Sequence, residues 1–216
     1  MPPSFSLLDL VFPPACGGCG RRGKLWCEEC AGSLRPPSVS ELAGIPLVAA
    51  ARLEGPFQHA IHTYKYRSRA ALAEQLNQHL LAAVRSAGVR LNALTFVPLH
   101  PEREHQRGFN QAERLARCLG KQLRLPVVQG LRRLRPTAPQ VGLTGREREL
   151  NVAGAFSWTG EAAPPALLGL VDDVCTTGAT LLAASGALNR AGGSIGAFLV
   201  LAVPHTLPLP LVTWPE

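Results

Sequence analysis

The sequence predicts an α/β fold with a small cysteine knuckle near its N-terminal end, and two observations carry that expectation. First, residues 167–203 read strand, helix, strand. LLGLV (167–171) and SIGAFLVLAV (194–203) are near-continuous apolar runs, and TLLAASGALNRAGG (180–193) between them ends in glycines. Apolar strands joined by a helix belong to a parallel sheet covered on both faces, with a right-handed crossover. Second, Cys16, Cys19, Cys27 and Cys30 form two CxxC units separated by seven residues. An apolar content of 46% over 216 residues suffices for one ordinary domain plus such an appendage, and excludes a disordered chain.

In chain order, residues 4–12 suit a short apolar helical turn, 1–36 contain the knuckle, and 37–46 (PPSVSELAGI) read as a linker. A main domain is expected over 47–206 and a tail over 207–216. LVAAARL (47–53) reads as a strand, and 55–68 and 69–88 as helices. In the second helix Leu72, Leu76, Leu80 and Val84 recur every four residues, and Gly88 suits its end. ALTFVP (93–98) is a short buried strand, and Asn110 is a plausible N-cap for a helix over 111–123. VVQGLRRL (127–134) is extended, and 135–154 is a long basic loop rich in Pro and Gly, of the kind that usually serves function.

The formal charge is +7 and unevenly spread. Residues 101–150 hold 11 basic and 5 acidic side chains, whereas 151–216 hold 1 basic and 4 acidic. The positive middle favours phosphates, on a small ligand or on a nucleic acid. Asp9 interrupts the short N-terminal apolar run and no basic segment precedes it, so neither an export signal nor a membrane span is expected. The expected location is the cytoplasm, where paired cysteines point to metal more than to disulfides.

Two CxxC units complete a tetrahedral sulfur shell, so Cys16, Cys19, Cys27 and Cys30 are read as ligands of a structural Zn²⁺, with a redox pair or an iron–sulfur cluster as alternatives. Four sulfurs leave no open position for water, which excludes hydrolytic chemistry there. Gly18, Gly23 and Lys24 imitate part of a P-loop, but Leu25 stands where a Mg²⁺-binding hydroxyl is required. Cys118 is expected to be a small buried residue.

The most informative stretch is LVDDVCTTGATL (170–181). A buried strand delivers Asp172 and Asp173 to the carboxyl edge of the sheet, where open α/β sheets bind ligands. Thr176, Thr177, Gly178, Ala179 and Thr180 then open a helix, and such a start cradles anions. Carboxylates repel phosphate, so their place beside an anion cradle needs a reason. A ribose 5-phosphate supplies one: its phosphate meets the loop and its hydroxyls meet the acids.

This stretch resembles the hallmark motif of type I phosphoribosyltransferases. The resemblance implies that Asp172 and Asp173 act at the ribose hydroxyls of 5-phosphoribosyl-1-diphosphate (PRPP), that residues 176–180 surround the 5-phosphate, and that Mg²⁺ accompanies the diphosphate. It also implies the fold of that family, a parallel sheet flanked by helices. Gly169 departs from the pattern, which usually has a larger apolar residue there. More widely, the knuckle, YKY (64–66), FVPLHPEREHQRGFNQ (96–111) and PQVGLTGRERELNVAGAF (139–156) together resemble the ComF family, linked to natural transformation. That resemblance implies a diphosphate loop with Arg103 and Arg107, a hood carrying Arg146 and Arg148, and Lys65 facing phosphates. These cations would meet the diphosphate or a DNA backbone.

Two functions follow as expectations. One is phosphoribosyl transfer to an unspecified acceptor. It would not depend on glutamine, because Pro2 stands where a nucleophilic cysteine is required. The other is a non-catalytic module that binds incoming single-stranded DNA and works with the helicase of DNA uptake. Its aromatic candidates for base stacking are few, chiefly Phe109 and Tyr66.

Overall fold

A computed structural model describes residues 13–66, 70–134 and 154–207, without the side chains of Tyr66 and Ala70. The helical turn expected at 4–12, nearly all of the basic loop with Arg146 and Arg148, and the tail from 208 lie outside the described residues.

The central sheet has five strands in the order β1–β2–β7–β6–β3. β2 (Ile45–Arg52), β7 (Ile195–Val203), β6 (Leu168–Val174) and β3 (Ala93–Phe96) run parallel, and β1 (Glu41–Leu42) is antiparallel to β2. The α/β expectation holds in this mostly parallel sheet flanked by helices. β7 runs through its middle, and Ala197–Val203 are fully buried because apolar layers cover both faces.

On one face lie α2 (Gly55–Tyr66), α3 (Ala70–Ala87) and α5 (Gln111–Leu123), together with the knuckle and its short α1 (Glu28–Gly32). The expected α3 stripe is buried here: Leu72, Leu76 and Leu80 fully, Val84 nearly so. On the other face lie α6 (Ala179–Arg190) and the antiparallel pair β4 (Leu131–Arg133) and β5 (Phe156–Trp158). Between β3 and α5, the chain forms α4 (Pro101–Arg107).

Two readings change. The stretch expected as a linker holds β1 and the start of β2. Ala43 (φ 51°) and Gly44 (φ 76°) are both left-handed, which makes the tight turn of a two-residue hairpin. Leu42 is buried. Cys118 is half-buried, on the flank of α5.

Gly169 has a packing reason. A Cβ there would stand 2.6 Å from Leu94 Cδ2 and 3.0 Å from Leu199 Cδ1, in space those leucines already fill. Gly169→Val is expected to destabilise the protein by about 1–3 kcal/mol through overpacking, read by denaturant titration. An unchanged midpoint would contradict this packing account.

Candidate functional site

Three loops meet at the carboxyl edge of the parallel strands. β6 carries Asp172 and Asp173 just before its last residue, β3 leads through Val97 into α4, and β2 leads into α2. Together they enclose a cleft of about 840 Å³. Its walls bring together Lys65, Arg103, Arg107, Asp172, Asp173, Thr176 and Thr180. The sequence had singled out all seven, from three separate segments.

Asp173 is buried and forms an ion pair with Lys65, Oδ2 to Nζ 3.1 Å. Asp172 is half-buried, and its Oδ1 accepts from the Asp173 backbone N–H at 2.8 Å. Burial, then the Asp173 charge, pushes the Asp172 carboxyl up to about 7, against the pull of Lys65 and Arg133. Below the pair, Tyr64 is fully buried, and burial with the Asp173 charge holds its phenol well above the ordinary range.

Thr177, Gly178 and Ala179 are buried behind the cleft wall. The Thr177 hydroxyl accepts from the Ala179 N–H at 3.4 Å. Gly178 is the N-cap of α6 at φ 81°, and a Cβ there would lie 2.6 Å from Leu42. Its glycine therefore answers both the left-handed backbone and Leu42. With no side chain at the cap, the first turn of α6 depends on other acceptors for its N–H groups.

Arg133, Asn110 and Gln111 also line the cleft, and sequence reasoning gave them no part in it. Arg133 is buried, with its guanidinium 5.4 Å from the Phe156 ring centre. Burial and then the charge of Arg103 draw its pKa down, while Asp172 opposes them. The alternation of Leu131 and Arg133 on one side of β4 was the signal that could have found it. Asn110 caps α5 by accepting from Ala112 and Glu113, and donates to the Val97 carbonyl at 3.1 Å. Gln111 accepts from Arg107 at 3.3 Å and donates to the Lys65 carbonyl at 3.4 Å, while Tyr64 donates to the Gln111 carbonyl at 2.9 Å. The QRGFNQ block thus fastens the corner that presents Arg107 to the segment that presents Lys65. Phe109 packs on Tyr64, ring centres 5.6 Å apart, so part of its surface is spent on the core.

The second site is the knuckle. The four Cys Sγ atoms lie within 4.8 Å of one another, and the Cys16–Cys30 and Cys19–Cys27 pairs are each 3.7 Å apart. Four sulfurs about 2.3 Å from a central ion in a tetrahedron stand about 3.75 Å apart, so the set fits a metal ion. Burial raises the Cys16 thiol, but N–H groups of Cys19, Cys27 and Gly18 outweigh it and bring it down to about 6. Arg21 pairs with Glu29 and Lys24 with Glu28, so two of the knuckle's cations are answered within it.

The fold and sites define a mostly parallel α/β protein with an acid-and-cation cleft at the sheet edge and a four-cysteine knuckle whose sulfurs could hold a metal ion. Comparison with known proteins places it more narrowly. It is 30% identical over 187 residues to Competence protein F of Haemophilus influenzae, covering 83% of this chain and 80% of that one. It is 34% identical over 188 residues to DNA utilization protein YhgH of Salmonella typhimurium, covering 84% and 79%. With the Escherichia coli K12 protein of the same name it shares 31% over 192 residues, covering 86% and 81%. No protein-family model matches the chain. The chain belongs to the ComF family.

Two outcomes are expected. Cys30→Ser removes one of four ligands and is expected to abolish retention of one metal equivalent, measured by elemental analysis, and to lower the melting temperature. Full retention would contradict the metal reading. Asp172 holds its proton more tightly folded than unfolded, where an aspartate titrates near about 4. Ionising it in the fold therefore costs stability, a penalty absent below about pH 4 and complete above about pH 7. Asp172→Asn removes that penalty, so its melting temperature should gain on the wild type as pH rises through that window. Parallel curves would contradict it.

Proposed function

We propose that this ComF-family chain binds PRPP in the cleft, with Mg²⁺ on the diphosphate, and serves competence and DNA utilization, the roles its relatives are named for. The observation that carries the reading is the pair Asp172 and Asp173, set at a sheet edge in the same cleft as Lys65, Arg103, Arg107 and Arg133. An anion alone would not be matched to two carboxylates. A molecule with hydroxyls at one end and phosphates at the other is matched to both halves.

In this reading Asp172 and Asp173 accept hydrogen bonds from the ribose hydroxyls. Thr176 and Thr180, which line the cleft, take the 5-phosphate at the start of α6, on the turn formed by the buried Thr177, Gly178 and Ala179. Arg103 and Arg107 take the diphosphate, joined by Arg133, and Arg146 and Arg148 belong to the same group. Lys65 exchanges Asp173 for the ligand or bridges both. These groups suit displacement at the anomeric carbon: the bond to diphosphate oxygen breaks, an acceptor bonds to the carbon, and the cations stabilise the departing charge. The knuckle holds structural Zn²⁺, and reduced thiols fit a cytoplasmic setting. Among the described residues no helix is long and apolar enough to cross a membrane.

A second reading is supported by the 11 basic side chains of residues 101–150 and by the relatives' names. It makes the chain a binder of incoming single-stranded DNA beside the uptake helicase. It is compatible with the first.

Calorimetric titration tests the first reading. Asp172→Asn with Asp173→Asn is expected to weaken PRPP binding about tenfold or more, since hydrogen bonds to charged groups contribute about 1.5–3 kcal/mol each. Inorganic diphosphate, which has no sugar, should bind the variant at least as well as the wild type. Undiminished PRPP affinity would refute the ribose assignment.

A further inference from the structure

Among the described helices of twelve or more residues, α5 is the most two-sided. Ala112, Leu115, Ala116, Leu119 and Gly120 are buried on one side. Arg114, Arg117, Lys121 and the C-cap Arg124 are spaced three, four and three residues apart. At 3.6 residues per turn Arg114, Arg117 and Lys121 fall within an arc of about 60° on the outer side, and Arg124, left-handed at φ 58°, follows them at the helix end, the four spread over about 15 Å. Arg117, Lys121 and Arg124 are exposed and Arg114 is half-buried.

Helix stability accounts for only part of this row. Cations near the end of a helix offset its macrodipole, which suits Lys121 and Arg124. Arg114 lies in the first turn, where the dipole is positive and disfavours a cation. Acids bound the row on both sides. Glu113 pairs with Arg117 at 2.7 Å on one flank, and Glu74 lies near Cys118 on the other. Four cations spread over about 15 Å do not converge on one small anion, but they match a repeating charge. A single strand carries one phosphate per nucleotide, so a row of this length meets several of them in turn. The row also leads to the cleft, because Arg107 donates to Gln111, the first residue of α5.

We infer that the outer face of α5 is a track for the phosphate backbone of single-stranded DNA, ending at the mouth of the cleft. Its narrowness selects one strand. The two backbones of a duplex stand about 12 Å apart across the major groove, and the second would lie over the flanking acids. The identity of the polymer rests on the proposed role in DNA utilization. The residues are distinct from those of the cleft, so the two readings fail separately.

The test uses the full chain carrying Arg114→Gln, Lys121→Gln and Arg124→Gln, with the three Glu replacements as a second variant. Binding of a labelled 20-nucleotide single strand is followed by anisotropy over a salt series. The Gln variant is expected to bind about tenfold or more weakly, with a salt slope shallower by about 2, because three phosphate contacts are lost. The Glu variant should bind more weakly still. PRPP titration should be unchanged in both, since none of the three residues lines the cleft. Wild-type single-strand affinity and slope in both variants would overturn the track. So would a duplex of equal length that binds the wild type more tightly and loses more in the variants. Loss of PRPP binding in the variants with single-strand binding intact would also overturn it.

Discussion

Two adjacent carboxylates at the end of a buried strand repel one another, and the architecture around them is arranged to hold that repulsion in place. Asp173 takes the Lys65 ammonium, and Asp172 takes the Asp173 N–H and stays hard to ionise. Lys65 comes from α2 and the neighbouring arginines from α4 and β4, so the compensating charge is assembled by the fold and not by local sequence. The cations line the same cleft as the acids, so both signs of charge face one space.

The knuckle contributes at a distance. Gly17 accepts a hydrogen bond from Thr63, and Trp26 packs on Phe57 and donates to His79, so the cysteine segment is fastened to α2 and α3. A Cβ on Gly18 would stand 2.9 Å from the Pro56 carbonyl and 3.0 Å from the Cys30 sulfur. This close approach brings the four-cysteine cluster against the first turn of α2, the helix whose last turn carries Lys65. A segment too small for its own core thus shares the main one, and a metal ion held there would also steady the helix that carries Lys65.

Much of this was legible before any coordinates. Periodicity placed β6, α6 and β7, the four-residue stripe placed α3, and spacing gave the cysteine set, because each is a local pattern with a period or fixed interval. The hairpin at Leu42–Ile45 was missed because only Gly44 marks it, and its reason for existing, Leu42 against Gly178, spans more than a hundred residues. Arg133 was missed for the same kind of reason: its burial depends on Phe156 and the cleft wall. The roles of Asn110 and Gln111 beyond the N-cap lie in bonds to Val97, Lys65 and Arg107, which no spacing rule encodes.

The central claim is that the acid pair reads sugar hydroxyls while the cations read phosphate. Competitive titration of the wild-type chain with ribose 5-phosphate and 2-deoxyribose 5-phosphate separates those contributions, since the two differ by one hydroxyl and carry the same phosphate. The ribose compound is expected to bind about tenfold more tightly, the value of one hydrogen bond to a charged group. Equal affinity for the two would mean that the carboxylates do not contact that hydroxyl, and the reading of the cleft would fall with them.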